Sequence, residues 1–218
     1  NGSYKFVGST GALFTWDGEP IDTALVETGD SEWLAETTEG LEYRLKFKSD
    51  STRRYYPRKD NDNEYIEIGA PEYFDEDEWK KLPISNPTIE KNRLYFEKPD
   101  YTLEHLVTPY GAKVNLILNN KSFNKPIRWP ISITNLTKEG ETLISNIDSK
   151  TVARFTPPYW YDSTEKSGAI SYTVKDGYLT YTAPDLTDAV YPVTIDPTFS
   201  VGVAANADDY DHNTQDNS

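Results

Sequence analysis

The chain has 218 residues, with 36 acidic and 22 basic side chains, a formal net charge of −14, and neither cysteine nor methionine. The negative charge opposes phosphate neutralisation, so it argues against nucleic acid and anionic membranes as partners. The lack of cysteine excludes a disulfide framework, a thiolate metal site and a cysteine nucleophile. No apolar run reaches the roughly 20 residues that span a bilayer, which predicts no direct membrane insertion. The lack of methionine predicts a processed product or a segment of a longer protein.

The N-terminal part is dominated by the two-residue alternation that is typical of antiparallel strands. Tyr43, Leu45 and Phe47 alternate with charged residues, which predicts a strand with one buried and one wet face. Further strands are predicted at residues 4–7, 12–16 and 65–68, the first of them as an exposed edge strand. Residues 75–82 (DEDEWKKL) place acids first and lysines last, as the helix dipole favours, and they predict one or two helical turns.

The C-terminal part continues the strand pattern, with strands predicted at residues 93–96, 113–118 and 131–135. Residues 170–174 and 179–181 then alternate on either side of Asp176-Gly177, a pair that favours the positive φ angles of a tight hairpin turn. Tyr191, Val193 and Ile195 share one face of a closing strand. Many short strands separated by turn residues predict an all-β protein, built as an antiparallel β-sandwich with little helix.

Prolines and charged residues gather between residues 69 and 87, and a domain boundary is predicted there. We expect an N-terminal β region over residues 1–82 and a β-sandwich module over residues 83–200. Residues 201–218 have no apolar period, and we expect them to be a linker or the start of a following domain.

Three segments carry a resemblance to a known kind of module: YTLEHLVTPYGAKVNLILN (residues 101–119), RFTPPYWYDSTEKSGAISYTV (154–174) and GYLTYTAPDLTDAVYPVTIDPTFS (177–200). They resemble a β-rich module of large secreted bacterial surface proteins that precedes Rhs-type repeats or jelly-roll adhesive domains, and similar segments of bacteriophage structural proteins. The ending YPVTIDPT, residues 191–198, is the most specific part, whereas Leu103, Glu104 and His105 depart from the aliphatic pattern. The resemblance implies a non-enzymatic spacer or assembly module on a cell or virion exterior.

Aromatic residues supply the strongest binding candidates. Tyr159, Trp160 and Tyr161 follow two prolines, and exposed rings of this kind stack on sugars or offer rigid contact area to a protein. Trp129, between Arg128 and Pro130, is a further candidate. Core packing is the competing interpretation for all of these rings, and their exposure decides between the two.

Two acidic clusters are candidate calcium sites, because calcium binds carboxylate and carbonyl oxygens. Asp60, Asp62 and Glu64 alternate along the chain, but Tyr65 stands where an EF-hand loop needs glycine, so only an irregular site is retained. The second cluster lies in the polar tail, where a solvated linker is the favoured interpretation; it consists of Asp208, Asp209, Asp211 and Asp216, with Asn213 and Asn217. Calcium is the one cofactor that the sequence suggests.

The sequence offers little support for catalysis. It contains no GxSxG, HExxH or P-loop pattern, and its two histidines are His105, expected to be a structural hydrogen-bonding residue within a strand, and His212 in the tail. We therefore expect a non-enzymatic structural or assembly module of an extracellular surface protein or virion, in contact with other protein subunits. The alternative is a carbohydrate-binding module of the kind attached to glycoside hydrolases, with glycans as partners and residues 159–161 as its contact surface.

Overall fold

The computed structural model describes residues 23–28, 32–37, 41, 43–108, 111–196 and 198–201. Regular secondary structure in these residues is entirely β-strand, which confirms the predicted all-β class. The strands predicted at residues 4–7 and 12–16 lie outside the described residues. The acidic tail lies outside them as well, with its candidate ligands Asp208, Asp209 and Asp211.

The described residues form 21 strands, most of them three to five residues long. Up to residue 108 they are β1 (Leu25–Glu27), β2 (Ala35–Thr37), β3 (Arg44–Phe47), β4 (Arg53–Tyr56), β5 (Tyr65–Ile68), β6 (Glu72–Asp75), β7 (Glu78–Lys81), β8 (Thr88–Glu90), β9 (Arg93–Glu97) and β10 (Tyr101–Thr108). From residue 111 they are β11 (Gly111–Leu118), β12 (Ile127–Thr134), β13 (Leu136–Glu139), β14 (Thr142–Ser145), β15 (Thr151–Phe155), β16 (Tyr159–Asp162), β17 (Ser167–Ala169), β18 (Tyr172–Lys175), β19 (Tyr178–Tyr181), β20 (Val193–Asp196) and β21 (Thr198–Val201).

Antiparallel pairing joins these strands into two sheets. The first sheet has ten strands in the order β1-β2-β3-β4-β5-β12-β19-β18, with the β6–β7 hairpin attached to β12. The second sheet has eleven strands in the order β13-β14-β15-β21-β11-β10-β9-β8, and β20 links β11 to the β16–β17 hairpin. The long strand β11 therefore pairs with both β20 and β21, the two strands that close the described chain.

The core lies between the two sheets, where alternate residues of each strand point inward. In β10, for example, Leu103 and His105 are fully buried on the inward face. The rings of Phe47 in the first sheet and His105 in the second have centroids 5.4 Å apart, so the sheets meet face to face. One cluster of buried apolar residues runs from Leu25 in β1 to Ile195 in β20. The two sheets thus form a β-sandwich.

Most strands predicted from alternation are present, because burial on one face is what the alternation encodes. The patterns at residues 43–47, 65–68, 93–96 and 113–118 correspond to β3, β5, β9 and β11. The predicted hairpin is β18–β19, and its turn residues Asp176 and Gly177 have φ angles of 52° and 77°. The strand predicted at residues 131–135 is the end of the longer strand β12.

The helix predicted at residues 75–82 is wrong, because this segment is a β-hairpin made by β6 and β7. Glu76 and Asp77 form its turn with φ angles of 50° and 67°. Phe74 and Trp79 are paired across the hairpin, with ring centroids 5.3 Å apart. The order of acids before lysines, which suggested a helix, instead lets Lys80 form ion pairs across the turn with Asp75 and Glu76.

The predicted boundary near residue 82 falls within the first sheet. Strand β12, from the expected C-terminal module, pairs with β5 from the expected N-terminal region, for example through Ile131 opposite Ile68. Strands from both sides of the boundary therefore share one sheet and one core. Within the part of the chain that the structure describes, no helix is long and apolar enough to cross a membrane.

Candidate functional site

The strongest candidate site lies on the outer face of the second sheet, where β16 presents two tyrosines. Alternation along β16 turns Tyr159 and Tyr161 outward and Trp160 inward. Tyr159 is 40% exposed and Tyr161 is 38% exposed, whereas Trp160 is only 7% exposed. The pair Tyr159 and Tyr161, called here the tyrosine pair, is thus held on a regular strand and not on a loop.

The tyrosine pair forms a shallow, angled surface. Its ring centroids are 6.0 Å apart and its ring planes are inclined by 31°. None of the cation–ring contacts formed by the described residues involves either ring. Both rings therefore present an apolar face to a partner without a cation of the protein having to leave first.

A buried carboxylate anchors one side of the tyrosine pair. Asp196 in β20 lies directly opposite Tyr159, whose hydroxyl donates to Asp196 Oδ2 over 3.0 Å. Lys113 Nζ in β11 donates to the same oxygen over 2.8 Å. Partial burial, and then the charge of Asp196, raises the pKa of Tyr159. For Lys113, burial acts to lower the pKa, but the hydrogen bond and charge of Asp196 outweigh it, so the pKa is raised and the side chain stays cationic.

A second polar group lies on the same outer face, next to Lys113. Arg93 Nη1 donates to Glu104 Oε1 over 2.7 Å, and Asn115 Nδ2 donates to Glu104 Oε2 over 2.6 Å. Glu104 and Asn115 are only 4% and 7% exposed although they sit on the outer face. Both carboxylate oxygens of Glu104 are thus held in fixed directions, which makes this group rigid.

Together these residues cover a continuous strip of the outer face. Tyr95 lies opposite Glu104, and Glu104 lies opposite Asn115, in the register of β9, β10 and β11. Strands β20 and β16 follow on the other side of β11. Tyr95 in β9 and Tyr159 in β16 are separated by four strand-to-strand spacings of about 4.8 Å each, so they lie about 19 Å apart. The strip combines aromatic rings with fixed hydrogen-bonding groups, which suits noncovalent contact with a sugar or a protein surface.

Two of the predicted aromatic contacts are corrected by the structure. Trp160 packs beneath β17, where Gly168 is its direct partner and a Cβ on Gly168 would lie 2.6 Å from Trp160 Nε1. Trp129 is 1% exposed in the first sheet, and its ring packs on Tyr181 at a centroid distance of 4.9 Å. Both tryptophans are core residues, because their strand positions point inward.

The candidate calcium ligands at residues 60–64 do not converge on one point. Glu64 is fully buried and accepts hydrogen bonds from Arg58 Nη1 (3.1 Å), from Asn61 Nδ2 (2.9 Å) and from the hydroxyl of Ser145. Asp62 forms an ion pair with Arg44, and Asp60 is exposed. The described residues contain no group of three or more histidine or acidic side chains that could hold a metal ion. Glu64, which directly precedes β5, instead accepts a hydrogen bond from Ser145 in β14, and Arg58 balances its charge.

His105 does not have the hydrogen-bonding role that its strand position suggested. It is fully buried, and neither ring nitrogen has a hydrogen-bond partner among the described residues. Burial, and then the charge of Arg53, lowers the pKa of His105 well below its usual 6.5. The neutral ring packs edge-on against Phe47 and Phe96.

The sequence did not predict the polar residues of the strip on the outer face, which are Arg93, Glu104, Lys113, Asn115 and Asp196. A signal was present, because Glu104, Lys113 and Asn115 occupy the outward positions of the alternation in β10 and β11. Which outward residues become neighbours depends on the pairing of β11 with β20, and that pairing spans about 80 residues of sequence.

Comparisons of the chain with protein-family models, with curated proteins and with solved structures found no match. The resemblance to modules of bacterial surface and bacteriophage proteins therefore stays a prediction from the sequence.

Proposed function

We propose that this chain is a non-enzymatic structural or assembly module of an extracellular surface protein or virion, and that it contacts neighbouring protein subunits through the outer face of the second sheet. The tyrosine pair is the observation that carries the proposal. Tyrosine supplies a large, rigid contact area with a polar tip, and it is enriched where protein surfaces meet.

The polar strip beside the tyrosine pair supports the same interpretation. Lys113 and Asp196 are already paired, as are Arg93 and Glu104, so these charges need no partner from another chain. A partner that covers the strip therefore buries rings and compensated charges, which avoids much of the penalty of desolvating a single charge. The external location rests on the sequence resemblance of residues 101–119, 154–174 and 177–200.

Light scattering of the purified chain over a range of concentrations tests this proposal. We expect a defined oligomer that dissociates in the double variant Tyr159→Ala, Tyr161→Ala. The matched control is Ile147→Ala, which shortens another exposed apolar side chain, 63% accessible, away from the strip. A wild-type chain that stays monomeric at every concentration, or an oligomer that the double variant leaves intact, would contradict assembly through this face.

Carbohydrate binding is the second candidate function, and the exposure of the tyrosine pair also favours it. Two tyrosine rings next to fixed amide, carboxylate and guanidinium groups can stack on a sugar and accept or donate hydrogen bonds at its hydroxyls. A glycan array followed by calorimetry tests it. Binding that disappears in the double tyrosine variant and persists in Ile147→Ala would establish it. Trp160→Ala is unsuitable as the test, since that residue belongs to the core.

A further inference from the structure

The core between the two sheets contains a polar group that the proposed function does not use. Arg53 in β4 of the first sheet is 3% exposed, and His105 in β10 of the second sheet is fully buried. Phe47 connects them, since it lies opposite Arg53 in the register of β3 and β4 and its ring centroid is 5.4 Å from that of His105. Both polar side chains therefore face the same part of the interior.

Arg53 keeps an incomplete set of partners in this interior. Its Nε donates to the hydroxyl of Tyr55 over 3.0 Å, but its Nη1 is buried and has no hydrogen-bond partner among the described residues. The neighbouring Arg54, which points outward, shows the contrast. Arg54 donates twice to Glu67 Oε2, over 2.9 Å and 2.6 Å, whereas no ion pair of the described residues includes Arg53.

A guanidinium stays positively charged under all ordinary conditions. A buried cation without a counter-charge is strongly unfavourable, so such groups are normally paired. His105 supplies no negative charge, since burial lowers its pKa and keeps the ring neutral. A neutral imidazole still has one N–H donor, and its two nitrogens have no partner among the described residues.

We propose that Arg53 and His105 hold a small monovalent inorganic anion, of the size of chloride, between the two sheets. Arg53 Nη1 and one ring N–H of His105 would donate to it, and one negative charge would balance the guanidinium. A water molecule could accept the same hydrogen bonds but would leave the charge unbalanced. Larger oxyanions do not suit the position, because the surrounding side chains are bulky and fully buried, among them Phe47, Ile68 and Phe96.

Bromide replacement tests the site directly on the wild-type chain. Crystals grown in bromide are expected to show one anomalous peak per chain, within hydrogen-bonding distance of Arg53 Nη1. In solution, chloride should raise the melting temperature above that in sodium gluconate at equal ionic strength, because gluconate is too large to enter. The increase should grow with the logarithm of the chloride concentration once the site is filled, reaching about 5 °C when chloride exceeds its dissociation constant about 100-fold.

Variants of the two adjacent arginines provide a matched comparison. Arg53→Met should lose the specific effect of chloride, whereas Arg54→Met should keep it, since Arg54 faces outward. If Arg53→Met does not fold, the bromide crystals and the chloride titration of the wild-type chain still decide the question. A water molecule without anomalous signal next to Arg53, or a melting temperature that rises equally in chloride and in gluconate, would overturn the proposal.

Discussion

The two outer faces of the sandwich both carry aromatic rings, but they differ in what covers those rings. On the first sheet, Arg54 lies over Trp33 and Tyr65, with its guanidinium carbon 4.8 Å and 4.4 Å from the ring centroids. Arg128 likewise lies over Trp79 and Tyr178, at 4.4 Å and 4.0 Å. On the second sheet, the tyrosine pair has no such cation among the described residues.

This difference means that the cation-covered rings of the first sheet stabilise the fold, whereas the tyrosine pair is available to contact a partner. A guanidinium over a ring contributes roughly 0.5–1 kcal/mol at an exposed position, so the rings of the first sheet already contribute to the stability of the fold. A ligand that stacked there would have to displace the arginine. The tyrosine pair makes no such contribution, and a partner can cover it at little cost to the fold. Aromatic content alone would not distinguish the two faces.

The largest effect is expected inside β16 itself. Trp160→Ala should lower the free energy of unfolding by about 3–5 kcal/mol, because it removes a large buried side chain and leaves a cavity. Tyr161→Ala, one residue further on the outer face, should change it by less than about 0.5 kcal/mol. Urea unfolding of both variants measures the difference. Equal losses would mean that the two residues do not point to opposite sides of the sheet.

A smaller loss, of about 1–3 kcal/mol, is expected for Gly168→Ala. The added Cβ would lie 2.6 Å from Trp160 Nε1, so the indole would have to move. Adding Trp160→Phe to this variant should recover part of the loss, since phenylalanine lacks the atoms that collide. Thermal unfolding of the single and double variants measures this coupling. Purely additive losses would contradict a direct contact between Gly168 and Trp160.

Local alternation predicted the strands well because each strand buries one face against the core. The same rule, applied to residues 159–162, predicts that Tyr159 and Tyr161 share one face and that Trp160 takes the other. Treating the three rings as one contact surface overlooked this alternation. The glycine at position 168 was a further signal, since glycine within a strand often marks a close contact.

Two features could not be predicted from local sequence. The hairpin of β6 and β7 was mistaken for a helix because its charge order suits both structures; the structure shows paired strands, with Phe74 opposite Trp79. The pairing of Asp196 with Lys113 depends on which strands become neighbours in the second sheet. That choice is made by long-range packing, which a single sequence does not encode locally.

On the first face, Arg54→Met should lower the free energy of unfolding by about 1–2 kcal/mol. The variant loses both the contacts with Trp33 and Tyr65 and a partly exposed ion pair with Glu67. Arg54→Lys should recover only part of the loss, since lysine lacks the flat guanidinium that stacks on two rings and bonds the carboxylate. Urea unfolding at low and high salt separates the two contributions. A loss that high salt removes entirely would show that the ring contacts contribute nothing.

The last expected effect is a dependence of stability on pH, caused by Asp162 at the end of β16. Asp162 accepts hydrogen bonds from the backbone N–H of Val190 and from the N–H groups of Thr164 and Lys166, and these lower its pKa from 3.8 to about 2. A carboxyl with a lower pKa in the folded state stabilises the fold above its unfolded pKa, and that contribution is lost as the pH falls from about 4 to about 2.

Asp162→Asn makes this contribution measurable. The wild-type chain should melt at a higher temperature than the variant above about pH 4, and the gap should close as the pH falls to about 2. The control variant is Asp188→Asn, which also removes one negative charge near Asp162. Asp188 lies in the loop whose Val190 N–H donates to Asp162. A gap between wild type and Asp162→Asn that stays constant over this range would mean that the backbone N–H groups do not bind the charged carboxylate. The β16–β17 hairpin, and with it the tyrosine pair, would then be held by Trp160 and the strand pairing alone.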